Sequence, residues 1–123
     1  MELFSWQGKP EKQTPMTQKV QKLSNGWHIF TLVERIDSFN QASIMQEIQD
    51  LCDQGCKTLA IDMSDARFIS FPLIRFLWDM ATEMKKLGGE LALLSPSEKL
   101  KRQFSIYASL DDVRIYRSLE ELG

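Results

Sequence analysis

The feature that most constrains the fold is the alternation of short apolar runs with segments of helical periodicity. Residues 58–63 and 90–94 are apolar runs with the length expected of strands buried on both faces of a sheet. Between them, apolar residues recur every three or four positions in a segment that Pro72 opens and that Gly88 and Gly89 end. Strands that alternate with helices in this way predict a layered α/β fold with a mixed sheet.

The flanking segments extend the same pattern. Asn25 and Gly26 favour the positive φ angles of a two-residue turn, so the chain is predicted to enter the sheet through a β-hairpin. Asp37, with the serine after it, is predicted to cap the first helix. The predicted core stripe of that helix recurs at steps of three and four and comprises Phe39, Ala42, Met45, Ile48 and Cys52.

The C-terminal part of the chain adds three shorter elements. Ser97 and Glu98 open a predicted helix, residues 113–116 form a predicted strand, and Ser118 has capping-box spacing to Glu121 at the start of a terminal helix. The predicted order is a β-hairpin followed by α, β, α, β, α, β and α. We therefore expect one domain over residues 18–123, with four to five strands and about four helices, behind a flexible arm at 1–17.

Length and charge exclude several classes of protein. The 123 residues suffice for one core, and the 15 Lys and Arg residues nearly balance the 17 Asp and Glu residues. A dedicated nucleic-acid-binding protein usually carries a concentrated basic face, so no nucleic-acid partner is predicted. No apolar run approaches the roughly 20 residues that span a bilayer, and the first residues lack the pattern of a signal peptide. A cytoplasmic location without membrane insertion is the expectation.

The usual catalytic patterns are missing from the sequence. It contains no GxGxxG, GxxxxGK[ST] or GxSxG motif. His28 lies in an alternating pattern and is interpreted as a sheet residue, while Cys52 and Cys56 are interpreted as reduced structural thiols. Asp37, Asp62 and Asp65 are the acids nearest predicted strand ends, where turn and cap roles are the simpler interpretation. No enzymatic activity, cofactor or metal is predicted.

Read together, the pieces resemble a known family. From about Lys19 to Leu122 the chain resembles the STAS domain, the fold of bacterial anti-sigma-factor antagonists. The order and spacing of four segments carry this resemblance: 34–37 before the first long helix, 59–69, 86–93 and 119–122.

The resemblance implies a regulatory binding module without catalytic activity of its own. Antagonists of this kind bind an anti-sigma factor that is also a serine kinase, and phosphorylation of a serine that opens the second long helix switches them off. Counting from Asp62, that serine falls on Phe71, its preceding aspartate on Ser70 and the next hydroxyl residue on Pro72. The usual phosphoswitch is therefore predicted to be lost. Ser70 would be the phosphorylated residue only after a one-residue slip, and its simpler role is that of a helix N-cap.

The same substitution predicts a surface for a partner. Phe71, Arg75, Trp78 and Thr82 share one side of the predicted helix, away from its core stripe. Aromatic residues with arginine on such a face are typical of protein–protein hot spots. By the resemblance, Asp37 lies near the start of this helix, where it either frames the partner site or caps its own helix.

Two alternatives stay open at the level of the sequence. Phe71 and Trp78 could instead pack under the arm, whose apolar residues are Leu3, Phe4 and Trp6, within one chain or across a homodimer. The predicted partner is an anti-sigma factor with serine kinase activity or another regulatory protein. The alternative function is that of a small cytoplasmic STAS subunit in a larger assembly, such as a lipid-transport ATP-binding cassette complex.

Overall fold

A five-stranded mixed sheet forms the centre of the molecule. The computed structural model describes residues 20–107 and 113–122. The sheet has the order β1-β2-β4-β6-β7, numbered in chain order, and only β1 runs antiparallel to its neighbour. Its strands are β1 (Val20–Lys22), β2 (His28–Thr31), β4 (Thr58–Asp62), β6 (Glu90–Leu94) and β7 (Arg114–Tyr116).

Two further strands form a separate small sheet. β3 (Arg35–Ile36) and β5 (Phe68–Ile69) pair in parallel, with Ile36 opposite Ile69. The Glu34 carbonyl accepts the backbone N–H groups of Arg67, just before β5, and of Phe68, its first residue, at 2.7 and 3.2 Å. This small sheet leads directly into the longest helix of the fold.

Three α-helices in the described part of the chain contribute to one core against one face of the main sheet. They are α1 (Gln41–Asp53), α2 (Phe71–Lys86) and α3 (Glu98–Tyr107). The sheet supplies Phe30, Leu59, Ile61, Leu91 and Leu93 to this core. None of the helices among these residues is both long and apolar enough to span a bilayer.

The opposite face of the main sheet has a smaller core. Because successive strand residues point to opposite faces, Ala60 and Ala92 face away from the helices. Here Trp27 meets Tyr116 edge to face, with ring centroids 5.9 Å apart, and Leu122 of a short 3-10 helix (Leu119–Leu122) is buried beside them. The Asn25 side chain donates a hydrogen bond to the Leu122 carbonyl at 3.1 Å, joining residues 97 positions apart.

The α/β class predicted from the sequence is confirmed, with corrections at both ends of the chain. The hairpin loop between β1 and β2 is longer than the predicted two-residue turn, and in it only Gly26 has positive φ, at 99°. The predicted fourth α-helix is the 3-10 helix. Its Glu121 carboxylate reaches back to the N–H of Arg117 at 2.8 Å, one residue before the predicted capping box. The predicted arm at 1–17, with Leu3, Phe4 and Trp6, lies outside the described residues.

The predicted stripe of α1 is wrong at its first two members, because Phe39 precedes the helix and Ala42 is exposed. The helix begins at Gln41 with Asn40 as its N-cap, so Phe39 precedes it, and 95% of Phe39 is exposed. The fully buried residues of α1 are Ile44 and Ile48. The helix begins later than predicted because Asp37 organises a turn before it instead of capping it.

The two adjacent glycines after α2 are required for different reasons. Gly88 has φ of 87°, the left-handed conformation that ends many helices. Gly89 instead lies against the backbone of Lys57, where a Cβ atom would fall far inside van der Waals contact with the carbonyl oxygen. The same oxygen accepts the N–H of Glu90 at 2.8 Å, beside the first paired residues of β4 and β6.

Candidate functional site

The start of α2 is held in place from two sides. Ile69, the last residue of β5, is fully buried, and its carbonyl accepts a hydrogen bond from the Gln103 side chain of α3 at 2.8 Å. Continuing the register of β3 and β5 by one step places Asp37 opposite Ser70. The resemblance implied this proximity, and the small sheet is what creates it.

Ser70 occupies the N-cap position of α2, as the sequence predicted, without making the usual cap hydrogen bond. Pro72 stands at the second helical position and has no N–H to donate. The Ser70 side chain is 8% exposed, and its hydroxyl is buried without a hydrogen-bond partner among the described residues. Phosphorylation of Ser70 remains a prediction, and it would require this hydroxyl to leave its buried position.

We expect Ser70→Ala to change the free energy of unfolding by less than about 0.5 kcal/mol, because it removes a hydroxyl that makes no hydrogen bond. Replacing an ordinary N-cap serine costs about 1 kcal/mol. The matched control is Ser97→Ala, since the Ser97 hydroxyl accepts the N–H of Leu100 at 3.1 Å at the start of α3. Urea unfolding measures the free energy of unfolding of both variants. An equal loss of stability in both would contradict a Ser70 hydroxyl that makes no hydrogen bond.

Phe71 is the exposed aromatic residue at the first position of α2. It is 48% exposed, and its ring lies 4.4 Å from that of Tyr107 at the end of α3. Arg75, one turn further along, donates to the Tyr107 carbonyl at 3.5 Å and pairs with Asp79 at 3.7 Å. The structure therefore adds Tyr107 to the predicted set.

Trp78 and Thr82 lie deeper than the sequence predicted. Trp78 is half-buried against the core beneath α2, and its Nε1 is buried without a partner among the described residues. The guanidinium of Arg75 lies 5.1 Å from the Trp78 ring centroid and covers its outer side. The Thr82 hydroxyl donates to the Trp78 carbonyl at 3.0 Å. The accessible part of the predicted face is thus its N-terminal half, at Phe71 and Arg75.

Asp37 uses both carboxylate oxygens within its own loop. One oxygen accepts the N–H of Phe39 at 2.9 Å, and the other lies 3.4 Å from Nε of Arg35. Asn40 closes the same loop by accepting the N–H of Asp37 at 2.9 Å. The loop holds Phe39 out from the surface beside the small sheet.

An arginine–aromatic pair lies on the outer side of β5. The Arg35 guanidinium lies 4.6 Å from the ring centroid of Phe68, which is also exposed. We define the aromatic surface as Phe39, Phe68, Phe71 and Tyr107, with Arg35 and Arg75 beside it. Both arginines have carboxylate partners, so the surface presents apolar rings without a large excess of charge.

Beside the aromatic surface, a depression of about 1160 Å³ opens at the carboxyl ends of β2 and β4. Its lining is mixed in character and includes Glu34, Ser64, Arg67, Ser97 and Lys99. Asp62, at the end of β4, accepts the N–H of Ser64 at 3.0 Å, which agrees with the turn role expected from the sequence. In the described residues, no three His, Cys, Asp or Glu side chains are grouped to hold a metal ion.

Comparisons with known proteins agree with this architecture. The family model of the STAS domain matches residues 16–122. A crystal structure of a putative anti-sigma factor antagonist from Thermotoga maritima is similar at 22% identity and a TM-score of 0.74, covering 85% of this chain and 90% of that one. The phosphorylated form of the Bacillus cell fate determinant SpoIIAA is similar at 17% identity and a TM-score of 0.69, covering 86% and 96%.

A structure describing the architecture of the stressosome, a signal integration and transduction hub, is similar at 16% identity and a TM-score of 0.62. It covers 83% of this chain and 90% of that one. These TM-scores show a shared fold. No curated protein sequence matches the chain.

Proposed function

Because the chain belongs to the STAS domain family, we propose that it is a non-enzymatic regulatory module that binds a protein partner through the aromatic surface. The observation that carries this proposal is the exposure of Phe71 at the first position of α2. An aromatic ring that loses solvent contact on binding contributes strongly to affinity, and partly exposed arginines beside it are typical of hot spots.

The chemistry of the aromatic surface favours a partner with an apolar patch. Arg35 already pairs with Asp37, and Arg75 already pairs with Asp79. A highly acidic partner would have to displace these carboxylates, whereas an apolar side chain could contact the Phe71 and Tyr107 rings directly. Anti-sigma-factor antagonists are among the structural neighbours, so an anti-sigma factor or a related regulatory kinase is the first partner class to test.

In this proposal, the protein is not regulated by phosphorylation of a serine at the start of α2. Phe71 occupies the position where the resemblance implies the phosphorylated serine, and the neighbouring Ser70 hydroxyl is buried. Partner binding would then be constitutive or controlled at another residue. This chain would differ in that respect from antagonists that carry a serine at the start of the helix.

We expect Phe71→Glu to weaken binding of the partner by about 30-fold or more, equivalent to ~2 kcal/mol. The change buries a carboxylate in the interface and removes the ring contact with Tyr107. The partner is first captured from the native host and then purified, and its affinity for wild type and variant is measured by calorimetry.

The matched control is Leu87→Glu, which replaces another exposed apolar residue at the far end of α2. We expect it to retain wild-type affinity. Equal affinity of Phe71→Glu and wild type would exclude the aromatic surface as the binding site. An equal loss of partner affinity in both variants would indicate a general effect of added charge.

The identity of the captured protein separates the two functions considered for this chain. A kinase-type anti-sigma factor supports the antagonist-like role. A transporter ATPase or permease supports the role of a small subunit in a larger assembly. If wild type instead forms a homodimer that Phe71→Glu dissociates in light-scattering measurements, the aromatic surface serves self-association.

A further inference from the structure

A small pocket lined by sulfur lies at the opposite end of α2 from the aromatic surface. It has a volume of about 190 Å³ and forms between the end of α1, the loop before β4 and the end of α2. Two cysteines and one methionine line it, together with Gly55, Lys57, Leu87 and Gly89. The proposed function does not use this pocket.

The sulfur atoms converge on the pocket from two helices and a loop. Cys52, in the last turn of α1, places its Sγ 3.8 Å from Sδ of Met84 in α2. Cys56 lines the same pocket from the loop, and its thiol donates to the Thr58 carbonyl at 3.6 Å. Both cysteines are free, and both are only partly exposed.

The pocket favours the protonated form of its thiols when it is empty. Burial, and next the charge of Cys56, raises the pKa of Cys52 to about 11. Burial also raises the pKa of Cys56. A metal ion that binds both thiols would therefore have to displace two protons.

We propose that Cys52, Cys56 and Met84 form a binding site for copper(I). Thiolate and thioether donors are soft ligands that select Cu(I) over harder cations. Three sulfurs held at about 2.3 Å from one metal ion lie roughly 3.8–4.0 Å from one another, and the Cys52–Met84 separation of 3.8 Å meets that requirement. A structural zinc site ordinarily needs four His, Cys or carboxylate ligands, and this pocket offers two.

Binding is a proton exchange without oxidation or reduction. One Cu(I) ion enters, each thiol releases one proton, and two copper–thiolate bonds form while the methionine adds a neutral third ligand. The bound unit carries one net negative charge. Because two protons leave, the apparent affinity is expected to rise about 100-fold per pH unit near neutrality.

The test is anaerobic titration of the reduced full chain with Cu(I) in competition with a chromophoric Cu(I) chelator. We expect one ion per chain, and an excess of Zn²⁺ should not displace it. X-ray absorption of the loaded protein should show three sulfur neighbours at roughly 2.3 Å. The thermal midpoint should rise on loading, because the folded chain holds all three sulfurs together and so binds the ion more tightly than the unfolded chain does.

Three conservative variants probe the ligands separately. We expect Cys52→Ser and Cys56→Ser each to weaken binding by about 100-fold or more, and Met84→Leu to reduce the sulfur neighbours to two. Circular dichroism verifies folding, and Cys56→Ser changes a loop residue, so one ligand stays testable if a helix variant is unstable. A copper(I) site is ruled out if the chelator retains all the copper, if binding survives Cys52→Ser and Cys56→Ser together, or if Zn²⁺ competes equally.

Discussion

Replacing Gly89 with alanine is expected to lower the free energy of unfolding by about 3 kcal/mol. The added Cβ would overlap the carbonyl oxygen of Lys57, and backbone cannot rotate away as a flexible side chain can. That oxygen also accepts the N–H of Glu90, so relieving the overlap would break a hydrogen bond next to the β4–β6 pairing. Urea unfolding followed by tryptophan fluorescence measures the loss.

The adjacent glycine provides the control for this change. Gly88 has positive φ, but no atom lies near the position of an added Cβ. Gly88→Ala should therefore cost only the backbone strain, about 1 kcal/mol. A similar loss of stability in both variants would mean that the backbone at Lys57 moves away from the added Cβ at little cost.

Ile36→Ala should lower the free energy of unfolding by about 3 kcal/mol and also disturb the aromatic surface. Ile36 is fully buried in β3, opposite Ile69, so truncation leaves a cavity at the base of the small sheet. The same sheet sets Asp37 beside Ser70. We therefore expect partner affinity to fall as well, although Ile36 is itself inaccessible to a partner.

Ile106→Ala makes the same chemical change where little is buried. Ile106 lies in α3 and is 73% exposed, so its truncation removes few contacts. Alanine is also the better helix former by a few tenths of a kcal/mol. The variant should retain wild-type stability within about 0.5 kcal/mol, and a loss matching that of Ile36→Ala would contradict the role given to the small sheet.

The sequence was most informative where local pattern and burial agree. The runs that became β4 and β6 are buried on both faces, and the α2 stripe has six buried members, so periodicity alone placed them. β3 and β5 are only two residues long, which is too short to show an alternating pattern of apolar and polar residues. Their pairing depends on residues more than thirty positions apart, which no local pattern reveals.

The candidate site was predictable along one helix but not across helices. Helical spacing grouped Phe71 with Arg75 and Trp78, and in the structure Arg75 covers the ring of the half-buried Trp78. Tyr107 joins them only because α3 crosses the start of α2. Phe39 was missed because its spacing matched the α1 stripe, although the helix begins only after the Asp37 turn. The asparagine at position 40, a favourable N-cap residue, was the signal that could have placed it outside the helix.

The hydrogen bond from Asn25 to Leu122 also bears on how the protein is made. A ribosome delivers the hairpin early, yet the contact that closes the back of the sheet awaits residues translated 97 positions later. Until then, Trp27 and Ile29 lack the cover that Leu122 provides. The helix-facing core extends to Val113, whereas the Trp27 side closes only once Leu122 has been made. Until Leu122 has been made, that face stays open to chaperones and to other nascent chains.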